Sequence, residues 1–294
     1  MLRLEHSFTA MGGPCRLRID SPSEALAEKA VAAAVAEVER LESRYSRYRE
    51  DSLLTAINRG AGSGTATVVD AETHTLLNYA DTVWRESDGL FDISSGVLRQ
   101  AWDFKQSVVP SQEQLDALLP LVGWDKVERS ERSVYLPRAG MELDLGGVVK
   151  EYACDSVAAV LRAHDIHHAL TDLGGDMLAI GPQADGTPWR VAIRDPRGTG
   201  AMASIELMDA AIASSGDYER GIDINGERLG HILDPHSGWP VKGLIAASVV
   251  APQCLVAGSA ATIALLQSEA DGLAWLRQLG LTWIAVDRQQ RVYR

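Results

Sequence analysis

The chain has 294 residues, 46% apolar and 23% charged, which fits a soluble globular protein organised as one large domain or two intimate ones. Its 28 basic residues against 40 acidic ones give a net charge of −12, arguing against a nucleic-acid binder and against adhesion to an anionic membrane surface. No apolar run approaches the roughly 20 residues needed to span a bilayer, and Cys15, Cys154 and Cys254 are too few and too scattered for a disulfide framework or a zinc site.

In chain order, Leu2 to Ile19 reads as extended chain broken at Gly12-Gly13-Pro14. A helix follows over Ala25 to Leu41, with Pro22 near its start and Val31, Val35, Val38 and Leu41 at helical spacing. A polar bend over Arg44 to Asp51 ends it, and further helices are expected from Ala71 to Ser87 and from Ser111 to Leu119. From Val134 onward short strands are punctuated by glycine. Met141–Leu145 reads as a strand, Val148–Leu161 as a helix, and His168–Leu173 and Met177–Ile180 as strands. Trp189–Ile193, Ala203–Leu207, Ala211–Ser214 and Leu244–Val250 also read as strands. Helices near Leu255–Gln267 and Asp271–Leu279 then lead to a strand pair at Trp283–Val286 and Val292–Tyr293. Helices dominate the first half and strands the second, which predicts an α+β fold rather than an alternating parallel sheet. With no low-complexity linker, a single compact unit over 1–294 with an inserted lobe is expected.

Several segments have chemical potential. In Asp144-Leu-Gly-Gly-Val-Val-Lys150, a strand, two glycines and a helix start would let a phosphate approach bare backbone N–H groups, with Lys150 in reach of an anion; a tight turn with a surface lysine is the other reading. His231 precedes Asp234-Pro235 and Gly238-Trp-Pro240, a turn that would hold the imidazole at a strand end. There it is either a general base or a loop histidine bonded to backbone. The hydroxyls of Ser214-Ser-Gly-Asp217-Tyr suit a turn or phosphate contacts. Tyr48 and Phe91 sit in aromatic stretches suited to a planar ring or to the core.

In this order, the pieces resemble the ApbE family of flavin transferases (FAD:protein FMN transferases). The resemblance runs from Phe8 to about Leu266 through Thr9-Ala-Met11-Gly, Ser46-Arg-Tyr48-Arg-Glu-Asp-Ser52 with Asn58, Gly89-Leu-Phe-Asp92, Asp144-Leu-Gly-Gly-Val-Val-Lys150, Asp172-Leu-Gly-Gly-Asp176, Ser214-Ser-Gly-Asp217-Tyr and His231-Ile-Leu-Asp-Pro-His-Ser-Gly238. It implies an ApbE-like fold of mixed or antiparallel sheets flanked by helices. It also implies Mg²⁺-assisted transfer of FMN from FAD to a Thr or Ser hydroxyl of an acceptor flavoprotein, with release of AMP. By similarity Met11, Tyr48, Leu90, Phe91 and Asp92 would line the flavin site, Asp144, Lys150 and Leu233 would hold the rest of FAD, and His231 would be the base. Without a signal or lipid-accepting cysteine near Met1, a cytoplasmic setting is expected, unlike exported relatives.

The metal site departs from the family pattern. Gly147 can supply the expected backbone carbonyl and Thr262 the hydroxyl, but Gly258 and Leu255 stand where acids are expected on the late helix. With only neutral protein donors, Mg²⁺ would arrive with the FAD diphosphate, unless Asp176 or Asp234 has taken the acid's place. On the sequence alone, Gly258→Asp would restore metal affinity. Two rival functions follow from this departure: a non-catalytic FAD-binding protein, and an FAD pyrophosphatase in which water replaces the acceptor.

Overall fold

The structure, a computed structural model, describes residues 1–218, 221–224 and 226–294. Strands β1 (Leu2–Ala10) and β2 (Gly13–Ser21) lead into helices α1 (Glu24–Tyr45) and α2 (Leu53–Arg59), then β3 (Thr67–Val68) and α3 (Ala71–Glu86). A 3-10 segment, Ile93–Gln100, precedes α4 (Gln112–Leu118), β4 (Glu128–Ser130) and β5 (Ser133–Tyr135). After α5 (Val149–Ala163) come β6 (Ala169–Leu173), β7 (Asp176–Ile180), β8 (Trp189–Arg194), β9 (Ala201–Leu207) and β10 (Ala211–Gly216). Next are β11 (Gly221–Ile224), β12 (Glu227–Gly230), β13 (Ala246–Ala251), α6 (Cys254–Leu266), α7 (Glu269–Gln278), β14 (Thr282–Val286) and β15 (Val292–Tyr293).

Eight strands form the central sheet in the order β1-β2-β6-β7-β10-β13-β14-β15, and every neighbouring pair is antiparallel. Alternation along the strands sends Ala169 and Leu173 to one face and Leu170 to the other. The first face packs against α1, α5 and α6. The second is covered by the β8–β9 hairpin through Trp189, Val191, Ile193 and Leu207. The fold is therefore α+β, as expected.

Helix α1 begins where the Ser23 hydroxyl accepts the Leu26 N–H, and it buries Ala27, Ala30, Val31, Ala34, Val38 and Leu41 on one face. Helix α6 is apolar nearly all round, which fits its place beneath β10 and β13 and against α5 and α7. Its run Ala257-Gly-Ser-Ala-Ala261 is buried, and these small side chains let neighbouring elements approach closely. Its N-cap residue, Gln253, makes no side-chain cap; instead the Asp155 carboxylate of α5 accepts the N–H groups of Cys254 at 2.7 Å and Leu255 at 3.0 Å.

One expected strand is absent. Met141, Leu143 and Leu145 are buried in alternation, but Met141–Leu145 joins no sheet. The Asn58 side chain plays the part of a neighbouring strand: its Nδ2 donates to the Leu143 carbonyl at 3.0 Å, and its Oδ1 accepts the Leu143 N–H at 2.8 Å. No helix among the described residues is long and apolar enough to cross a membrane.

Candidate functional site

The N-terminus of α5, the C-terminal half of α6, the end of β10 and two loops border an open cleft of about 1050 Å³, counting the solvent at its mouth. The first loop carries Leu90, Phe91 and Asp92. Phe91 is buried, and its N–H donates to Ser87 Oγ. Both Asp92 oxygens are committed inside the protein: Oδ1 accepts the Ser94 N–H and hydroxyl, and Oδ2 accepts the Trp124 N–H. The Asp92 carboxylate therefore shapes the loop, and the loop presents Leu90 and Phe91 to the cleft.

The glycine turn before α5 forms the floor. Asp144 Oδ1 accepts the Gly146 N–H at 2.8 Å, and its Oδ2 lies 3.4 Å from Arg47 and 3.2 Å from Arg99. A Cβ at Gly96 would lie 2.6 Å from Asp144 Cβ, so the floor and the 3-10 segment after the first loop meet only because residue 96 has no side chain. The hydrogen bonds that open α5 run from Val148 and Val149 to the Leu145 carbonyl and from Tyr152 to the Val148 carbonyl, passing over Gly147. Lys150 Nζ lies 2.5 Å from Asp176 Oδ2, and Asp176 Oδ1 accepts the Ser214 N–H at 3.2 Å. Opposite, the Ser215 and Thr262 hydroxyls are 2.6 Å apart.

His231 follows β12 directly and borders the cleft with Ile232 and Leu233. The turn behind it is fixed from several sides. Leu233 pairs with Pro240, Trp102 Nε1 donates to the Gly238 carbonyl at 2.8 Å, and Gly238 takes a φ of +73° with Leu115 close against it. The Asp234 carboxylate caps this turn, accepting the His236 N–H and the Ser237 hydroxyl.

The structure thus brings together Leu90, Phe91, Asp92, Asp144, Gly147, Lys150, His231, Leu233 and Thr262 around one space. Met11 and Tyr48 do not border it. Met11 occupies the β1–β2 turn with φ +53° and donates its N–H to Glu42, while Tyr48 is exposed, stacked under Arg47, beside a shallow groove with Asn58 and Met141. The Arg47 contact to Asp144 links that groove to the cleft.

The cleft also holds a buried carboxylate that the sequence reading did not single out. Glu151, the residue after Lys150, is buried and lines the cleft. A Cβ built at Gly258 would lie 2.5 Å from Glu151 Cγ and 3.0 Å from its Oε1. The Glu151 side chain therefore occupies the space an acid at 258 would need, and Gly258→Asp requires Glu151 to move aside. Burial, and next the charge of Asp176, push the Glu151 carboxyl up to about 7, opposed by Lys150. Glu151 Oε2 is buried without a hydrogen-bond partner among the described residues, whereas Asp176 Oδ2 is met by the Lys150 ammonium. A sequence signal existed. Glu151 falls on the buried stripe of α5 with Cys154, Ala158 and Leu161, a position where a carboxylate is rare.

No group of three or more acidic, His or Cys side chains is placed to hold a metal among the described residues. The mixed set bordering the cleft, a carboxylate, a hydroxyl and a backbone carbonyl, is hard oxygen throughout and fits Mg²⁺ bound together with substrate phosphates.

Known proteins resemble this chain over most of its length. The family model described as ApbE family matches residues 11–285. A protein named FAD:protein FMN transferase from Treponema pallidum is 33% identical over 292 residues, covering 91% of this chain and 80% of its own length. One of the same name from Vibrio cholerae is 30% identical over 246 residues, covering 81% and 73%. Among solved structures, the ApbE protein of Thermotoga maritima superposes with a TM-score of 0.91 at 27% identity, over 100% of this chain and 97% of that one. The flavin transferase ApbE of Vibrio cholerae gives 0.89 at 25% identity, over 99% and 96%.

Proposed function

The chain belongs to the ApbE family, and from that premise we propose that it is an FAD:protein FMN transferase, moving FMN from FAD to a Thr or Ser hydroxyl of an acceptor protein. The observation that carries this reading is that Phe91, Asp144, Lys150, His231 and Thr262, from separate segments of the chain, border a single cleft.

In this reading the acceptor oxygen forms a bond to the phosphorus of the FMN half, the bridging bond to the AMP half breaks, and AMP leaves. The His231 imidazole takes the proton of the acceptor hydroxyl, which supports attack near neutral pH. Leu90 and Phe91 present an apolar edge to the flavin, and Leu233 packs along the remainder of FAD. The N–H groups at the start of α5 and the Lys150 ammonium favour the diphosphate, with Asp176 holding the ammonium in place. Asp144, drawn toward Arg47 and Arg99, fixes the glycine turn through Gly146. Mg²⁺ would be held by the Gly147 carbonyl and the Thr262 hydroxyl, where it would supply electrostatic stabilisation of the phosphates.

The test is incubation with FAD, Mg²⁺ and an acceptor domain carrying a Thr or Ser site, followed by mass spectrometry of the acceptor and chromatography of the nucleotides. The reading expects an acceptor bearing FMN and one AMP per adduct. Free FMN and AMP with no adduct would make the protein a pyrophosphatase. FAD bound but intact would make it a binding protein.

A further inference from the structure

The carboxylate missing from α6 has a counterpart on α5. Gly258 and Thr262 are four residues apart on α6, so they share a face of that helix. The space over Gly258 on that face is filled by Glu151, whose Cγ lies 2.5 Å and Oε1 3.0 Å from where a Cβ at 258 would stand. Glu151 borders the same cleft as Gly147 and Thr262, and its Oε2 is buried with no hydrogen-bond partner among the described residues. The neighbouring Asp176 Oδ2 already has the Lys150 ammonium, so Glu151 is the carboxylate left open to a cation. Buried carboxylate oxygens normally collect hydrogen bonds or a cation. The residue pair is also mutually dependent: Glu151 fits only because 258 lacks a side chain.

We propose that Glu151 is the acidic metal ligand of this protein, supplied from α5 in place of the acid that α6 lacks, and that it binds a divalent cation together with Gly147 and Thr262. The identity of the cation's role rests on the flavin-transfer reading; the binding itself does not. One carboxylate with a hydroxyl, a carbonyl, waters and phosphate oxygens is a donor set suited to Mg²⁺, and Mn²⁺ prefers the same ligands. The arrangement explains how Gly258 can stand in a family member without loss of the site's charge. It moves the acid to the helix that also carries Lys150 and follows the glycine turn.

The test uses the full chain, freed of metal, titrated with Mn²⁺ in the absence of FAD. Free Mn²⁺ is read by electron paramagnetic resonance, and thermal unfolding is followed in parallel. The unmodified protein is expected to bind Mn²⁺ and to gain thermal stability from it. Glu151→Gln keeps the shape of the side chain, and is expected to weaken Mn²⁺ binding at least about tenfold and to abolish the thermal gain. Glu151→Gly with Gly258→Asp returns the acid to α6, and is expected to bind at least about tenfold tighter than Glu151→Gly alone. Unmodified protein that binds no Mn²⁺, Glu151→Gln that binds it as well as the unmodified protein, or a double exchange no better than Glu151→Gly overturns the proposal. Polarisation of FAD fluorescence is measured on the unmodified protein alongside. Lack of FAD binding there defeats the flavin reading, and the Mn²⁺ measurements still decide the role of Glu151.

Discussion

At the scale of single residues, the cleft depends on what two glycines omit. Gly96 lets the Asp144 turn close on the 3-10 segment after the first loop, and Gly258 makes room for Glu151. Gly258→Asp in the otherwise unmodified chain forces Glu151 out of its place, and overpacking of this kind costs about 1–3 kcal/mol, before the repulsion of two buried carboxylates is added. A lowered denaturant midpoint with unchanged slope is the expected outcome, and an equally stable variant would show that Glu151 has room to turn aside. His231 stands apart from this packing problem. His231→Ala is expected to lower FMN transfer by roughly 10²–10⁴ with FAD affinity held within a few-fold. Parallel loss of rate and affinity, measured by single-turnover transfer and fluorescence titration, would instead make it a binding or folding residue.

At the scale of elements, helix starts and strand edges carry the electrostatics. Helix α6 relies on Asp155 of α5 for its first N–H groups, and burial raises that carboxyl even though the Leu255 and Cys254 N–H groups oppose the shift. Asp155→Ala is expected to cost about 1–2 kcal/mol of stability by urea unfolding, the scale of a lost N-cap. On the β1–β2 hairpin, Arg3 Nε and Nη2 donate to Asp20 at 2.6 and 2.7 Å, holding the Asp20 carboxyl below its ordinary value of 3.8 against the opposing effect of burial. A lowered folded-state value means that this stabilisation is present above 3.8 and is lost as pH falls through the folded value. Arg3→Ala should therefore be clearly less stable than the unmodified protein near neutral pH. The difference should shrink in strong acid, and unfolding midpoints across an acid series read it directly. A difference independent of pH would assign the effect to the packing of Arg3 over the Trp189 ring instead.

At the scale of the whole molecule, long periodic segments were legible before the structure. Val31, Val35, Val38 and Leu41 announced α1, and the break at Gly12-Gly13 in an extended segment falls at the turn between β1 and β2, because local pattern and tertiary burial agree there. The motif residues that meet in the cleft were legible as motifs. Their meeting followed only from the resemblance, since from the residues alone it depends on which strands pair. The expected strand at Met141–Leu145 failed for an identifiable reason. Alternating burial there is real, but Asn58 satisfies the backbone in place of a partner strand, and an amide side chain far back in the chain leaves no trace in the local pattern. Helix α2 was missed because only Leu54 and Ile57 of it are buried and it follows directly on a polar bend. The Glu151–Gly258 contact was missed because the two residues lie on different helices, α5 and α6, and no local pattern links them.

The cleft draws on two packed cores, and Ile232 beside His231 still rests on the main one. Phe91, Val149 and Leu266 belong to the main core under the sheet, whereas Leu233, Trp239 and Ile222 gather with Trp102 and Leu115 in a small satellite cluster. A satellite with so few buried side chains opens at lower free energy than the main core. Amide hydrogen exchange should therefore separate the two, with the backbone at Leu233 and Trp239 exchanging through openings that leave α5 and α6 protected. Uniform protection across both would show that the satellite unfolds only with the whole. Unequal protection would mean that the cleft can widen on the Leu233 side at small cost while the phosphate side keeps its shape. A bulky protein acceptor needs that freedom, and the nucleotide does not.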